Sequence, residues 1–228
     1  MQFAGKYTVV LPPDDAHPEA MYPQGSGYGT LTVAATGLAR FTGVLGDMTA
    51  ASQGVALTKD GNFPLYVALY GAKGSVSGML TLHDPAAANH VEGKLNWFKP
   101  VVKTGMYRGG FAGKIEVEGS LYVKPPGRPQ ILSVPSGHAT FSIADGNVTL
   151  TSATRDVTID VKNKIKIVGT EKFTMTLAPS TGLFSGTFYD AQKKARAFKG
   201  AVLQKQNSGA GLFKGIDQTG AVELDPTP

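Results

Sequence analysis

Apolar and polar residues alternate with a period of two along much of the chain, most clearly between residues 30 and 82. Leu31 and Val33 alternate there with threonines, which is the pattern of a strand that buries one face. Asp60-Gly61 separates two such runs, and this dipeptide is a strong hairpin signal because the turn needs positive φ angles. The pattern therefore predicts a series of short antiparallel strands joined by glycine turns.

The same pattern continues towards the C-terminus and gives about sixteen short strands in all. The only two windows whose composition permits a helix, around Ala86 and from Ala191 to Ala195, are both short. Short strands at regular spacing are typical of antiparallel barrels and sandwiches. We therefore predict an all-β fold built from antiparallel meanders.

Several short motifs of the first half recur in the same order near the C-terminus. The matched motifs are Thr30-Leu31-Thr32-Val33 with Thr174-Met175-Thr176-Leu177, Arg40-Phe41-Thr42-Gly43 with Leu183-Phe184-Ser185-Gly186, Gly54-Val55-Ala56-Leu57 with Gly200-Ala201-Val202-Leu203, and Gly74-Ser75-Val76 with Gly220-Ala221-Val222. Such self-similarity usually indicates a duplicated unit, although any glycine-rich meander resembles itself to some degree. We interpret it as an internal duplication and predict two related barrel- or sandwich-like lobes.

A proline-rich segment, Lys124-Pro125-Pro126-Gly127-Arg128-Pro129, divides the two halves. A sheet does not pass easily through such a segment, because proline has no N–H to donate. We predict an N-terminal β lobe of residues 1–124, a linker of residues 125–129 and a C-terminal β lobe of residues 130–228. Two arrangements stay open: two separate lobes, or one body in which the two halves pack face to face.

Composition narrows the classes of function. The 228-residue chain is 42% hydrophobic, yet no segment approaches the roughly 20 apolar residues of a membrane helix. There is no basic-then-apolar leader, so we expect neither a membrane span nor a signal peptide. The absence of cysteine excludes disulfides and thiolate chemistry. The net charge of +5 permits an acidic partner, but no nucleic-acid-binding motif accompanies the dispersed lysines, so nucleic acid is not favoured.

Motifs of catalysis and cofactor binding are not found in the sequence. Gly74-Ser75-Val76-Ser77-Gly78 has its serines in the wrong positions for a hydrolase nucleophile elbow, and Gly209-Ala210-Gly211 lacks the third glycine of a dinucleotide fingerprint. The loop from Asp14 to Glu19 carries three carboxylates and one histidine, but a solvated acidic loop explains it more simply than a cation site does. We therefore expect no enzyme activity, no metal and no cofactor.

A set of motifs spread over most of the chain resembles a known group of proteins. The motifs are Phe63-Pro64-Leu65-Tyr66-Val67, Leu69-Tyr70, Lys73-Gly74-Ser75-Val76, Leu95-Asn96-Trp97, Lys99-Pro100, Gly182-Leu183-Phe184-Ser185-Gly186, and Phe198-Lys199-Gly200 with Val202-Leu203-Gln204-Lys205-Gln206-Asn207. They are similar to an uncharacterised C-terminal all-β module of large, multidomain secreted bacterial proteins. The resemblance implies an extracellular or cell-surface accessory domain of a larger host protein, and it carries over no functional residues.

Aromatic residues supply the candidate binding site. An exposed aromatic face offers a sugar ring apolar area at a low cost in entropy. The candidates for such a platform are Tyr66, Tyr70, Trp97 and Tyr107, with Asn96 and Lys99 as polar neighbours. If Leu65 and Leu69 are core residues, Tyr66 and Tyr70 share the outward face of one strand. Burial in the core would explain each aromatic residue equally well.

The sequence thus predicts a non-catalytic binding module, with a polysaccharide or another glycan as the most plausible ligand. The alternative is a structural, surface-anchoring or sorting domain that acts through protein–protein contacts. A third possibility is a lysine-dependent binder of polyanions, whose affinity would fall steeply with salt.

Overall fold

The computed structural model describes residues 2–13, 21–84, 86–127 and 130–228. Sixteen strands form in the described residues, which contain no helix. The first eight strands are β1 (Gly5–Leu11), β2 (Gly27–Val33), β3 (Leu38–Val44), β4 (Ala50–Ala56), β5 (Asn62–Leu69), β6 (Gly74–Leu82), β7 (Val91–Lys99) and β8 (Phe111–Leu121). The other eight are β9 (His138–Asp145), β10 (Thr154–Ile159), β11 (Ile165–Ile167), β12 (Phe173–Ala178), β13 (Leu183–Tyr189), β14 (Ala195–Leu203), β15 (Ser208–Lys214) and β16 (Thr219–Pro226).

The strands form two antiparallel sheets of eight strands each, and each sheet is nearly closed into a barrel. In the first sheet every strand pairs with its neighbours in the chain, except across β4 and β5, and β8 pairs back onto β1. The second sheet has the same construction, with β16 paired back onto β9. The predicted all-β fold of two related barrel-like lobes is confirmed.

Each barrel has one seam where two neighbouring strands share no ladder. In the first barrel the seam lies between β4 and β5, where Pro64 has no N–H to donate. The Gln53 side chain bridges this gap. It donates to the Pro64 carbonyl oxygen at 3.3 Å and accepts from the Tyr66 N–H. In the second barrel the seam lies between β11 and β12, and a single bridge between Lys164 and Thr176 spans it.

The motif pairing used to infer the duplication does not follow the chain order of the strands. It matched β2 with β12, whereas the second strand of the second barrel is β10. The match is therefore shifted by two strands. Adjacent strands of an up-and-down barrel have the same alternation of apolar and polar residues and the same tight turns. Motifs from strands that are not equivalent can therefore match almost as well as motifs from equivalent strands. The two lobes are therefore related by their antiparallel strand pairing, and the matched motifs do not mark equivalent strands.

The two barrels contact each other through an apolar patch. Val10 and Tyr28 of the first barrel pack in one cluster with Ala201, Leu203 and Leu212 of the second. The Ser26 N–H also donates to the Gly211 carbonyl oxygen at 3.2 Å. A Cβ atom on the neighbouring Gly25 would lie 2.5 Å from the Gly220 carbonyl oxygen, so this approach requires a glycine.

Side-chain amides hold the segment between the barrels. The Gln204 amide donates to the Val123 carbonyl oxygen at 3.2 Å and accepts from the Val123 N–H at 2.8 Å. Asn207 makes the same pair of bonds with Ser133, at 2.9 and 2.7 Å. Both amides come from the β14–β15 turn of the second barrel. Of the predicted linker, residues 128 and 129 lie outside the described residues.

Candidate functional site

The alternation along β7 decides the position of the only tryptophan. Leu95 and Trp97 point into the barrel, whereas Asn96 and Phe98 point outwards. Trp97 is 1% exposed, and its ring packs edge-on against Phe111 with centroids 4.7 Å apart. The expectation that Trp97 offers a face to a ligand at the barrel surface is therefore wrong, because one strand position moves a side chain to the other face.

Tyr70 is half-buried and does not share a strand face with Tyr66. Strand β5 ends at Leu69, and Tyr70 has a φ angle of 54°, which begins the turn to β6. The Tyr70 hydroxyl donates to Asp47 Oδ2 at 2.7 Å and accepts from the Trp97 indole N–H at 3.1 Å. Burial, and then the charge of Asp47, raise the pKa of Tyr70 far above its ordinary value. The predicted exposed pair of tyrosines is therefore wrong.

Lys99 and Tyr107 are also buried, although both were expected on a surface platform. The Lys99 ammonium lies 2.6 Å from Asp47 Oδ2 and 4.3 Å from the centre of the Tyr70 ring. Tyr107 is 7% exposed, and its hydroxyl lies 2.9 Å from Thr219 Oγ1 in the second barrel. Burial raises the pKa of Tyr107. Both side chains thus stabilise the fold and are not exposed sugar-stacking groups.

These buried side chains converge at one end of the first barrel, around Asp47. Asp47 lies in the β3–β4 turn, and its Oδ1 accepts from the Thr49 N–H at 2.9 Å. Its Oδ2 receives both the Lys99 ammonium and the Tyr70 hydroxyl. Asp47 was not among the residues predicted from the sequence to form a site. Its position two residues before a threonine in a tight turn indicates an Asx turn, but nothing local indicates its distant partners.

Tyr66 and Asn96 remain exposed and belong to one row on the outer face of the first barrel. The ladder register places Tyr66 beside Ser77, Ser77 beside Asn96, and Asn96 beside Lys114. Side chains directly opposite each other on one face of a sheet are about 5 Å apart. Tyr66 is 63% exposed. Two of the six predicted residues therefore lie together on a surface, whereas three are buried and Tyr70 is half-buried.

Phe98 extends this surface, although it was not among the residues predicted from the sequence to bind a ligand. It is 49% exposed and lies between Ser75 and Ala112 on the same outer face. A shallow depression of about 300 Å³ lies along these strands. We call the set Tyr66, Ser75, Ser77, Asn96, Phe98 and Lys114 the outer platform. Strict alternation from a buried Trp97 would have identified Phe98.

A second concave region lies between the two barrels, and we call it the interlobe cleft. Its volume is about 670 Å³. Its wall residues come from the end of β7, the β3–β4 turn, the β7–β8 loop, the end of β15 with the turn that follows it, and the segment before β2, which contributes Met21. Its charged and hydroxyl-bearing wall residues are Asp47, Lys99, Tyr107, Arg108, Lys214 and Asp217.

The acidic loop from Asp14 to Glu19 lies outside the described residues. The described part of the chain contains no helix with the length and apolar character needed to cross a lipid bilayer.

Comparisons with known proteins give no family assignment. No family model matches the chain, and no curated protein matches it significantly. Among solved structures, the chain is similar to a Bacteroides fragilis protein named "putative outer membrane protein", with 13% identity, a TM-score of 0.30, and coverage of 99% of this chain and 98% of that one. It is also similar to a DUF3598-family protein of unknown function from Nostoc punctiforme, with 10% identity, a TM-score of 0.28, and coverage of 100% and 99%.

Proposed function

We propose that the protein is a non-catalytic glycan-binding module that binds polysaccharide on the outer platform. The observation that supports the proposal is the exposure of Tyr66 and Phe98, at 63% and 49%, on the same outer face as the exposed Asn96. The proposal includes an extracellular or cell-surface location as an accessory module of a larger bacterial protein, which the motif resemblance implies.

The chemistry of the outer platform suits a sugar chain. Aromatic rings bury much area while fixing only two torsion angles, and they pack on the apolar faces of pyranose rings. The Asn96 amide and the hydroxyls of Ser75 and Ser77 can both donate and accept hydrogen bonds with sugar hydroxyls. All of these side chains project from paired strands, so the platform is rigid before the ligand arrives.

The spacing of the two aromatic residues suits a chain rather than a single sugar. Tyr66 and Phe98 lie two strands apart and two positions apart along the strands. Strand separation and rise per residue then place their Cα atoms ~12 Å from each other. This span is longer than one sugar ring, so an oligosaccharide can contact both aromatic residues at once.

The test is a pull-down with insoluble polysaccharides and affinity electrophoresis with soluble ones, at low and high salt. We expect Tyr66→Ala and Phe98→Ala each to weaken glycan binding about tenfold, as the loss of one stacking contact should. Tyr189→Ala is the matched control, because Tyr189 is a strand tyrosine of the second barrel that is 37% exposed. It should leave binding unchanged.

Three outcomes would contradict the proposal. If no glycan binds, or if Tyr189→Ala weakens binding as much as Tyr66→Ala, the outer platform is not the site. Binding that falls steeply with salt would indicate an electrostatic interaction through lysines rather than stacking on aromatic rings.

A further inference from the structure

The interlobe cleft is built by both barrels and has the size of a small-molecule site. Lys99 and Tyr107 line it from the first barrel, and Lys214 and Asp217 line it from the second. Its volume of about 670 Å³ falls within the range typical of ligand pockets. The outer platform belongs to the first barrel alone, so the cleft is a separate feature of the molecule.

Hydrogen bonds between the barrels fix the walls of the cleft. The Tyr107 hydroxyl donates to Thr219 Oγ1 at 2.9 Å and accepts from the Thr219 N–H at 2.8 Å. The Thr219 hydroxyl donates its only hydrogen to the Gly46 carbonyl oxygen at 2.7 Å. Tyr107 has a φ angle of 53°, which is costly for a tyrosine. The surrounding bonds hold this conformation, so the cleft is preorganised.

Lys99 brings an incompletely bonded ammonium group to the floor of the cleft. An ammonium group has three N–H donors, and Lys99 is only 7% exposed. One donor is used by Asp47 Oδ2, and one side of the group is covered by the Tyr70 ring. Within the described residues, no other acceptor is bonded to it. The remaining donors of this buried charged group are available to an oxygen acceptor of a ligand that lies in the cleft.

The rim of the cleft is also positively charged. Arg108 and Lys214 are exposed and form no ion pair with any residue that the structure describes. Asp217 accepts from the Asn147 amide at 3.1 Å, and Asp47 is already engaged by Lys99 and Tyr70. The lining therefore has three cations and two carboxylates, and both carboxylates have protein partners. An anion would supply the missing charge and the missing acceptors.

Apolar side chains complete the lining. Met106 is half-buried and Ile216 is 62% exposed, and both border the cleft. A cavity of this volume is far larger than an inorganic oxyanion needs. An organic body attached to the anionic group would fill the remaining space and cover these side chains.

We propose that the interlobe cleft binds a small organic carboxylate. Its carboxylate group lies against the free N–H donors of Lys99 and the guanidinium group of Arg108, and its body lies between the barrels beside Met106 and Ile216. Charge-assisted hydrogen bonds to a carboxylate are about twice as strong as neutral ones. The site is independent of glycan binding on the outer platform.

The experiment is a titration of the ¹⁵N-labelled full chain, followed by amide chemical shifts. The probes are glucuronate, which adds hydroxyls to a carboxylate, and hexanoate, which adds an apolar tail. Glucose and hexanol are their uncharged counterparts, and inorganic phosphate tests an oxyanion without an organic body. At least one of the two acids should give saturable shifts at the amides of Gly105, Gly110 and Gly215, and the uncharged counterparts should not.

The decisive variant is Arg108→Gln with Lys214→Gln, which removes two exposed charges without touching the core. It should weaken binding of the acid at least tenfold, as the loss of a charged hydrogen bond predicts. The control is Lys166→Gln with Lys199→Gln, which removes the same charge from exposed lysines of the second barrel. The control should bind the acid as the wild type does.

Lys99→Met tests the floor of the cleft and should abolish binding, with a retained Trp97 indole resonance as the check on folding. The proposal is overturned if neither acid gives saturable shifts, if the neutral counterpart or phosphate binds as tightly as the acid, or if the control pair loses as much affinity as the rim pair. Unchanged binding in a folded Lys99→Met protein would overturn it too. Tyr66→Ala should not affect this titration, so the two proposals succeed or fail separately.

Discussion

Among the described residues, each barrel has one ion pair in which both partners are buried, and the two pairs differ in how completely they are bonded. Asp47 pairs with Lys99 in the first barrel, and Asp190 pairs with Arg196 in the second. Both aspartates lie in turns and accept a backbone N–H of their own turn, at 2.9 and 2.8 Å. Arg196 makes three hydrogen bonds, two to Asp190 Oδ2 and one to the Gly215 carbonyl oxygen, whereas Lys99 makes one.

This difference in bonding separates a structural role for Arg196 from a ligand-binding role for Lys99. The planar guanidinium group of Arg196 is held by fixed acceptors on two elements, so the pair ties the β13–β14 turn to the β15–β16 turn. The ammonium group of Lys99 is a point charge with unused donors, and it borders a cavity. The first arrangement is complete without a ligand. The second is what a binding site for an anion requires.

The largest loss of unfolding free energy is expected from Arg196→Met. The variant leaves Asp190 Oδ2 and the Gly215 carbonyl oxygen buried without their donors. Removal of one partner from a buried pair typically costs about 3–5 kcal/mol of the free energy of unfolding. Urea unfolding followed by far-UV circular dichroism measures this loss.

The fluorescence of Trp97 adds a second reading to the same experiment, because Trp97 lies inside the first barrel only. If the barrels unfold as one unit, the fluorescence transition of Arg196→Met shifts together with the circular dichroism. A loss smaller than that of an exposed substitution such as Lys199→Gln would show that the Arg196 pair does not stabilise the second barrel.

A smaller loss of unfolding free energy is expected from Lys99→Met. Asp47 keeps the Tyr70 hydroxyl at 2.7 Å and the Thr49 N–H at 2.9 Å, and water can reach the site from the cleft. We expect a loss of about 1–3 kcal/mol, the cost of one unmade bond to a buried charged group. Urea unfolding followed by Trp97 fluorescence measures it. A loss equal to that of Arg196→Met would mean that Lys99 is as structural as Arg196.

The fold was largely predictable from local patterns. Alternation along β2 and the Asp60-Gly61 turn define strands and hairpins without knowledge of distant contacts. The pairing of β8 with β1 and of β16 with β9 is not local, and no single turn encodes it. The sequence therefore predicted two lobes of meanders, and it did not distinguish barrels from sandwiches.

The candidate site was less predictable, because its residues depend on which face of a strand is buried. Tyr66 and Asn96 follow from alternation, and Phe98 would have followed from it as well. Trp97 was assigned to the outer face of its strand, whereas its side chain lies on the inner face. The partnership of Asp47 with Lys99 joins residues that are 52 positions apart, so only the closed barrel brings them together. The cleft itself depends on how the two barrels pack.

The smallest expected effect is a change of unfolding free energy at acid pH. It tests whether the hydrogen bonds of Asp190 hold its carboxylate in the ionised form. Burial alone would raise the pKa of Asp190, but the Lys194 N–H and the Arg196 guanidinium group outweigh burial and hold this pKa below its ordinary value of 3.8. Because the folded-state pKa is depressed, the stabilisation is fully present above the unfolded-state pKa. It is lost as the pH falls through the folded-state pKa. The difference in unfolding free energy between the wild type and Asp190→Asn should therefore shrink below about pH 4.

Urea unfolding of both proteins at a series of pH values measures this difference, and Glu223→Gln supplies a control of opposite sign. Burial, and then the charge of Asp225, raise the pKa of Glu223 above its ordinary value of 4.5. Its ionised form therefore destabilises the fold once the pH rises through that raised pKa. Glu223→Gln should stabilise the protein at neutral pH and have no effect in acid, whereas Asp190→Asn should destabilise it at neutral pH. If Asp190→Asn lowers the unfolding free energy by the same amount at every pH, the aspartate is not held in its charged form. The Arg196 pair would then be no more complete than the Lys99 pair with which it is compared.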